Sequence, residues 1–213
     1  MPSTTASLIT LATIGVVQLI AVMSPGPSFL ITAQTAVAKS RTEGIKVALG
    51  LGAGAGIWAI AALVGLHLLF ARIPVIYAAA QLVGSLFLFW IAWKILIHAT
   101  DPLQLDDVAE GVPSGNSFLK GFLTQVTNPK VVVFFGSVFV AMLPQEIPLW
   151  MIVALVVIVA FNDFWWYSAV SLFFSTGPVR AFYLRAKKWI DRITAVILGG
   201  IGLRLLWALW SGA

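Results

Sequence analysis

Cysteine, histidine and charged residues are scarce in this sequence. It has no cysteine and two histidines, His67 and His98, and 10% of its 213 residues are charged, against roughly 25% in typical globular proteins. The missing cysteines exclude disulfide frameworks, thiol nucleophiles and cysteine-ligated metal sites. We therefore expect no metal site and no cofactor, and the low charge excludes an ordinary soluble domain.

Apolar residues take the place of the missing charges. They make up 60% of the chain, with nine tryptophans, which predicts an all-α, polytopic membrane protein whose outward side chains face lipid. Residues 1–38 carry no charge, and their apolar run is too long for a secretory signal peptide, so we expect the amino terminus to be retained. The uncharged stretches predict a single membrane domain, residues 1–213, with six transmembrane helices: Ser7 to Ala38, Val47 to Phe70, Pro74 to Ile97, Phe118 to Leu143, Ile147 to Phe174 and Ile190 to Trp210.

Lysine and arginine predict the orientation of these spans, because positive residues near span ends remain on the cytoplasmic side. The first, third and fifth connections hold ten of them, and the opposite side holds only Arg72. We therefore predict that both termini are periplasmic and that a cytoplasmic loop, residues 99–117, joins half-repeats 1–98 and 118–213. The basic run from Arg180 to Arg192 connects two predicted spans, so we assign it to anionic lipid and expect no nucleic-acid partner.

The first predicted span is too long for one continuous helix. Residues 7–38 would extend roughly 48 Å, and Ser24-Pro25-Gly26-Pro27 falls in the second half. Proline removes a backbone donor, so the helix is expected to break there. We predict that Ser24 caps a second half-helix, with Pro25 in its first position.

The fourth predicted span contains a similar interruption. Asn128 precedes Pro129 inside a stretch that is apolar on both sides, and Asn is a preferred helix N-cap. Spans one and four lead the two halves, and three helices is an odd number, so the second half enters the membrane from the opposite face. The pattern predicts a 3+3 inverted repeat with helices 1 and 4 broken.

Broken spans in matching positions indicate a transport site near the middle of the membrane. The half-helix N-termini suit a carboxylate, and carbonyls released by the prolines suit an ammonium group, so a zwitterionic amino acid fits both. The alternative is that the prolines only kink packed helices. The predicted substrate-binding residues are Ser24, Pro25, Gly26, Pro27, Ser28, Gln34, Gln125, Asn128, Pro129 and Lys130.

Two charged residues fall at membrane depth near this site. Asp163 lies well inside the fifth span, where an acid is costly and needs a partner. We interpret it as the proton carrier; the alternatives are an interfacial position or a structural pair with Lys130 or Arg204. Lys130 opposes the dipole of its half-helix, which indicates either a nearby anion or a side chain that reaches the interface.

Glycines in the second span favour close helix packing. Gly50 and Gly54, like Gly52 and Gly56, are spaced as GxxxG pairs. A nucleotide-binding loop is excluded because no strand precedes them.

Together these motifs resemble the LysE/RhtB family of amino-acid exporters over essentially the whole chain. The resemblance rests on Ser24 to Pro27 with the glycines from Gly44 to Gly54, and on Gly121-Phe122-Leu123, Asn128-Pro129-Lys130 and Leu143-Pro144-Gln145. Ser28 and Glu146 depart from the family pattern. The resemblance implies a secondary exporter of amino acids or close derivatives in the bacterial inner membrane, operating as a proton antiporter. The scarcity of acids inside the spans favours neutral over basic substrates.

Two other functions compete with export. An intramembrane lipid-modifying enzyme would need a nucleophile with its base, paired acids or a metal cluster, and the sequence offers one clearly intramembrane Asp. We therefore predict no enzymatic activity. In a structural subunit without transport activity, the broken helices would have no function. Whether the protein forms a homodimer stays open.

Overall fold

A computed structural model describes residues 4–70, 74–101, 115–144, 147–174 and 176–211. Arg72, Glu146 and most of the predicted cytoplasmic loop lie outside these residues. Within them the chain forms helices and no strand, as the composition predicts. The eight helices are α1 (Thr4–Met23), α2 (Pro27–Ala38), α3 (Arg41–Phe70), α4 (Pro74–Ile97), α5 (Ser117–Thr127), α6 (Pro129–Met142), α7 (Leu149–Phe173) and α8 (Gly177–Ser211).

Three of the described segments are both long and apolar enough to cross a membrane. They are Thr4–Met23, Arg41–Gly65 and Leu149–Phe173, and shorter apolar helices cover Leu82–Ile97 and Pro129–Phe139. Helix α7 has one buried face and one exposed apolar face. Its buried residues recur every four positions, whereas the positions two residues further on are exposed and equally apolar, as expected for a face toward lipid. The buried set is Met151, Leu155, Val159, Asp163 and Tyr167, and the exposed set is Val153, Val157, Phe161 and Trp165.

The first break lies within the predicted motif but is capped differently. Helix α1 ends at Met23 and α2 begins at Pro27, with Gly26 as its N-cap and no side-chain cap. The first backbone bond of α2 runs from Leu30 N to Gly26 O at 2.9 Å. The prediction that Ser24 caps the half-helix and Pro25 starts it was therefore wrong. Pro27, which also lacks an N–H group, takes the first position, and the Ser24 hydroxyl bonds elsewhere.

The second break follows the prediction. Asn128 separates α5 from α6, and its side chain accepts a hydrogen bond from Lys130 N at 3.0 Å. Pro129 occupies the first helical position, where its missing donor costs nothing. The predicted N-cap is confirmed, and one residue serves as the end of one helix and the start of the next.

Helix α3 packs between α5 and α7 through its glycines, which confirms the packing interpretation. A Cβ atom at Gly50 would overlap the carbonyl oxygen of Phe118, and one at Gly54 would lie 2.8 Å from Gln125 Cβ. On the other face, a Cβ at Gly52 would lie 2.7 Å from the carbonyl oxygen of Ala160. The glycines thus hold α5 and α7 against α3, and these two helices carry Gln125 and Asp163.

Helix α8 begins earlier than predicted. It runs from Gly177 to Ser211, so the basic segment that we assigned to a connection is helical. No glycine or proline falls between Pro178 and Gly199 to end the helix. The segment has one exposed aromatic and basic face and one buried face, and the buried side chains are Tyr183, Lys187, Asp191 and Thr194.

Candidate functional site

A cavity lies between the two helix breaks. Its polar lining side chains, called the polar wall below, come from α1, α2, α5, α6, α7 and the two breaks, and its apolar ones, called the apolar wall, come from α1, α4, α6 and α8. The lining residues are Gln18, Ala21, Val22, Ser24, Gly26, Ser28, Leu88, Ile91, Gln125, Asn128, Lys130, Val131, Phe134, Phe135, Asp163, Tyr167 and Leu198.

The carboxylate of Asp163 lies in the polar wall and is 1% exposed. Its Oδ2 accepts from Gln18 Nε2 at 2.5 Å, and its Oδ1 accepts from Gln125 Nε2 at 2.6 Å. Both donors are neutral amides, so the contacts do not form the structural pair with Lys130 or Arg204 that we considered. The carboxylate thus has hydrogen-bond donors but no cation in direct contact among the described residues. Its proton affinity therefore depends on these donors and on what else enters the cavity.

Gln18 is a site residue that the sequence analysis missed. Asn162 Nδ2 donates to Gln18 Oε1 at 2.7 Å and to Gly15 O at 3.1 Å, which fixes the orientation of the Gln18 amide. Gln18 and Asp163 are 145 positions apart. The available signal was a lone amide at membrane depth in an uncharged span, since such a group needs a partner.

The two breaks meet at Ser28. Its hydroxyl donates to Gln125 Oε1 at 2.7 Å and accepts from Asn128 Nδ2 at 3.0 Å. Asn128 therefore uses both ends of its amide: the oxygen caps α6 and the nitrogen bonds the start of α2. A residue of the first half and two residues of the second half share one hydrogen-bonded cluster.

Lys130 joins the breaks a second time. Its Nζ donates to Ser24 O at 2.9 Å, across 106 positions of sequence. That carbonyl lies just beyond the end of α1, where proline leaves backbone acceptors without helical partners. The side chain thus contacts a backbone carbonyl rather than the carboxylate of Asp163, and it lies in the lining of the cavity.

Asp191 is a second buried carboxylate, which the sequence analysis counted only within a basic run. It is 4% exposed and accepts from Ser24 Oγ at 2.8 Å. Lys187 Nζ lies 3.0 Å from its Oδ2 and donates to the carbonyl oxygens of His98 and Ala99. The i to i+4 spacing of Lys187 and Asp191 was the signal that could have identified this pair.

Most of the predicted binding residues surround the cavity, but four do not line it. Gln34 is half-buried on α2 and lies six residues after Ser28, which places the two side chains on different faces of the helix. The three prolines shape the backbone at the breaks instead of presenting side chains. The predicted residues in the lining are Ser24, Gly26, Ser28, Gln125, Asn128, Lys130 and Asp163, and those outside it are Pro25, Pro27, Pro129 and Gln34.

The cavity has a mixed polar and apolar lining in the described residues. No group of three or more His, Cys, Asp or Glu side chains that could hold a metal ion occurs in that part of the chain. What the cavity brings together is one carboxylate, one ammonium group, three amides and three hydroxyl groups. Such a set can bind a small molecule that carries both charges.

Known proteins are similar to this chain over most of its length. The chain is 35% identical to the threonine efflux protein of Salmonella typhimurium over 203 residues, which cover 91% of this chain and 96% of that protein. It is 34% identical to the threonine efflux protein of Escherichia coli K12 over the same shares. A leucine efflux protein of Klebsiella pneumoniae is 24% identical over 56% of each chain.

No solved structure matches the chain. The sequence model of one family, described as LysE type translocator, matches residues 19–209. That match spans both helix breaks, every lining residue of the cavity except Gln18 and nearly all of α8, so the chain belongs to the LysE type translocator family.

Proposed function

We propose that this protein is a secondary active exporter of small neutral amino acids in the bacterial inner membrane, driven by proton entry. The observation that carries the proposal is a buried carboxylate, held by neutral amides, in a cavity that lies between two broken helices. The relatives named for threonine and leucine efflux support the substrate class.

The proposed architecture is six spans arranged as a 3+3 inverted repeat. Helices α1 and α2 form the first broken span, and α5 and α6 form the fourth. Helix α3 packs against α7 and α4 packs against α8, which are the pairs that an inverted repeat relates to each other. Both termini lie on the periplasmic side, as the distribution of lysine and arginine indicates.

In the proposed complex the substrate spans the polar wall. Its ammonium group lies near Asp163, and its carboxylate lies near Lys130 and the first turn of α6, where the helix dipole favours an anion. The side chain points toward the apolar wall, which includes Leu88, Ile91 and Phe134. A basic side chain would find no acceptor among these three residues, which favours neutral substrates.

Asp163 is proposed to exchange protons as the two halves of the protein move around the cavity. When the carboxylate is protonated, it no longer attracts an ammonium group, so proton entry releases the substrate outside. An entering proton gains about 2.3 kcal/mol per 100 mV, enough to sustain about a 50-fold gradient.

The test measures threonine uptake into inverted membrane vesicles with and without an imposed pH gradient. We expect gradient-driven uptake by the wild type and none by Asp163→Asn, because the variant cannot exchange a proton. Asp101→Asn makes the same chemical change at an exposed position and should transport like the wild type. Wild-type uptake that is the same with and without the gradient would contradict the proton coupling. The substrate class is tested by competition: an excess of unlabelled leucine or threonine should reduce the uptake of labelled threonine, and an excess of lysine should not.

A further inference from the structure

A chain of hydrogen bonds runs from Asp163 to both helix breaks, and its direction is fixed. An ionised carboxylate only accepts, so Gln125 must turn its Nε2 toward Asp163. Its Oε1 then faces Ser28, which must donate. The Ser28 oxygen in turn accepts from Asn128, whose own oxygen caps α6 at Lys130 N. The charge of one carboxylate therefore sets the orientations of the Gln125 amide and the Ser28 hydroxyl, whereas the cap at Lys130 N orients Asn128.

Protonation of Asp163 would remove this constraint. A proton on Oδ1 that points toward Gln125 makes this oxygen a donor, and two donors would face each other if Gln125 kept its orientation. Reversal of the Gln125 amide would present its oxygen to Asp163 and its nitrogen to Ser28. The Ser28 oxygen can accept this bond, and its hydrogen is then released toward the cavity that Ser28 lines.

The other amide on the carboxylate cannot respond in the same way. Reversal of Gln18 would place its nitrogen against Asn162 Nδ2, which is also held by Gly15 O. Two donors would then meet without a rotatable hydroxyl between them. Gln18 stabilises the carboxylate, whereas Gln125 is free to follow its protonation state.

We infer that Gln125 is the positioning residue that transmits the protonation of Asp163 to Ser28, the residue at which the two helix breaks meet. The inference rests on the proposed proton-coupled export. It differs from direct competition, in which a proton and the substrate ammonium group exclude each other at Asp163 with no part for Gln125. The relay changes the donor pattern at the breaks even before substrate binds.

Few charged or titratable groups surround this relay. Helices α1 and α2 contain none in their ranges, and the charged residues in the first turns of α3 interact with each other and with the start of α5. Lys120 of α5 lies near Lys39, away from the cavity. The groups that face the cavity are Lys130 from α6 and Tyr167 from α7, with Asp191 and Lys187 of α8 behind Ser24.

The test compares two activities of purified protein in liposomes: exchange of threonine without a gradient, and accumulation of threonine driven by a pH gradient. In Gln125→Met we expect the ratio of accumulation to exchange to fall by about tenfold, the effect of one hydrogen bond to a charged group. The matched control is Gln34→Met, which makes the same chemical change at a glutamine outside the lining of the cavity and should keep the wild-type ratio. Ser28→Ala interrupts the chain one residue later and should behave like Gln125→Met.

Each outcome decides between the relay and direct competition. A wild-type ratio in both Gln125→Met and Ser28→Ala, with a lost gradient response in Asp163→Asn, would overturn the relay and leave the proposed export intact. A wild type that accumulates threonine equally with and without the gradient would overturn the proton coupling itself. Loss of threonine exchange in both Gln125→Met and Ser28→Ala would show that Gln125 and Ser28 bind the substrate. That result would also overturn the positioning role of Gln125. If Gln125→Met alone fails to fold, Ser28→Ala decides by the same ratio.

Discussion

The two helix breaks satisfy their free backbone groups in different ways: the second with a residue of its own, the first with residues from distant helices. At the second break, Asn128 ends one helix and caps the next with its own side chain. At the first break, Gly26 offers no side-chain cap, and groups from other helices satisfy the end of α1. The carbonyl oxygen of Met23 accepts from Tyr183, and that of Ser24 accepts from Lys130.

The difference shows which contacts determine the backbone conformation of each break. Three neighbouring residues specify the second break, so it can keep its form while the surrounding helices move. The first break depends on α6 and α8, which are distant in sequence, and it includes the hydrogen bond from Ser24 to Asp191. We therefore expect the first break to be the part of the site that changes shape during transport, and variants can test this asymmetry.

The largest effect should come from the ion pair that supports the first break. Lys187→Met removes the cation from Asp191, whose side chain is 6% exposed, and an uncompensated buried charge costs about 3–5 kcal/mol in the free energy of unfolding. Thermal unfolding in detergent should show a large loss. Lys46→Met breaks the exposed pair with Glu43 and serves as the control, since exposed pairs contribute little. Equal losses in the two variants would contradict the special role of the buried pair.

A smaller effect is expected at the second break. Asn128→Ala removes a helix cap, which costs about 1–2 kcal/mol in the free energy of unfolding. Asn128→Ser keeps a capping oxygen but loses the amide nitrogen that donates to Ser28. Thermal unfolding should therefore separate the two variants, with serine close to the wild type, while gradient-driven threonine uptake should fall in both. A serine variant as unstable as the alanine variant would mean that the contact with Ser28, rather than the cap, fixes this break.

The asymmetry also explains how much of the site the sequence could predict. Asn128 was identified because its capping role is local: the residue, the proline after it and the N–H group it binds are adjacent. Asp163 was identified because an acid at membrane depth is rare and needs a partner. The breaks themselves followed from proline chemistry, which also depends only on neighbouring residues.

The rest depends on contacts that no local pattern encodes. The Ser24 hydroxyl could have capped α2, but a carboxylate 167 positions later binds it instead. Gln34 was assigned to the cavity from its polarity and its position beyond Ser28, although the helix turns it away from Ser28. The basic start of α8 looked like a loop because charge was taken to mark a connection, whereas its buried face packs against the end of α1.

The smallest effect should come from Tyr183, which contacts the first break through one neutral hydrogen bond. Its hydroxyl donates to Met23 O at 3.0 Å, and its ring stacks on Phe29 with centroids 4.7 Å apart. Tyr183→Phe keeps the stacking and removes the donor, so the free energy of unfolding should fall by only about 0.5–1.5 kcal/mol. Tyr183→Leu removes both contacts and should cost more in the same thermal assay. If Tyr183→Phe nevertheless slows threonine exchange, the carbonyl end of α1 must hold its position during transport, and the first break is more rigid than the comparison with the second break implies.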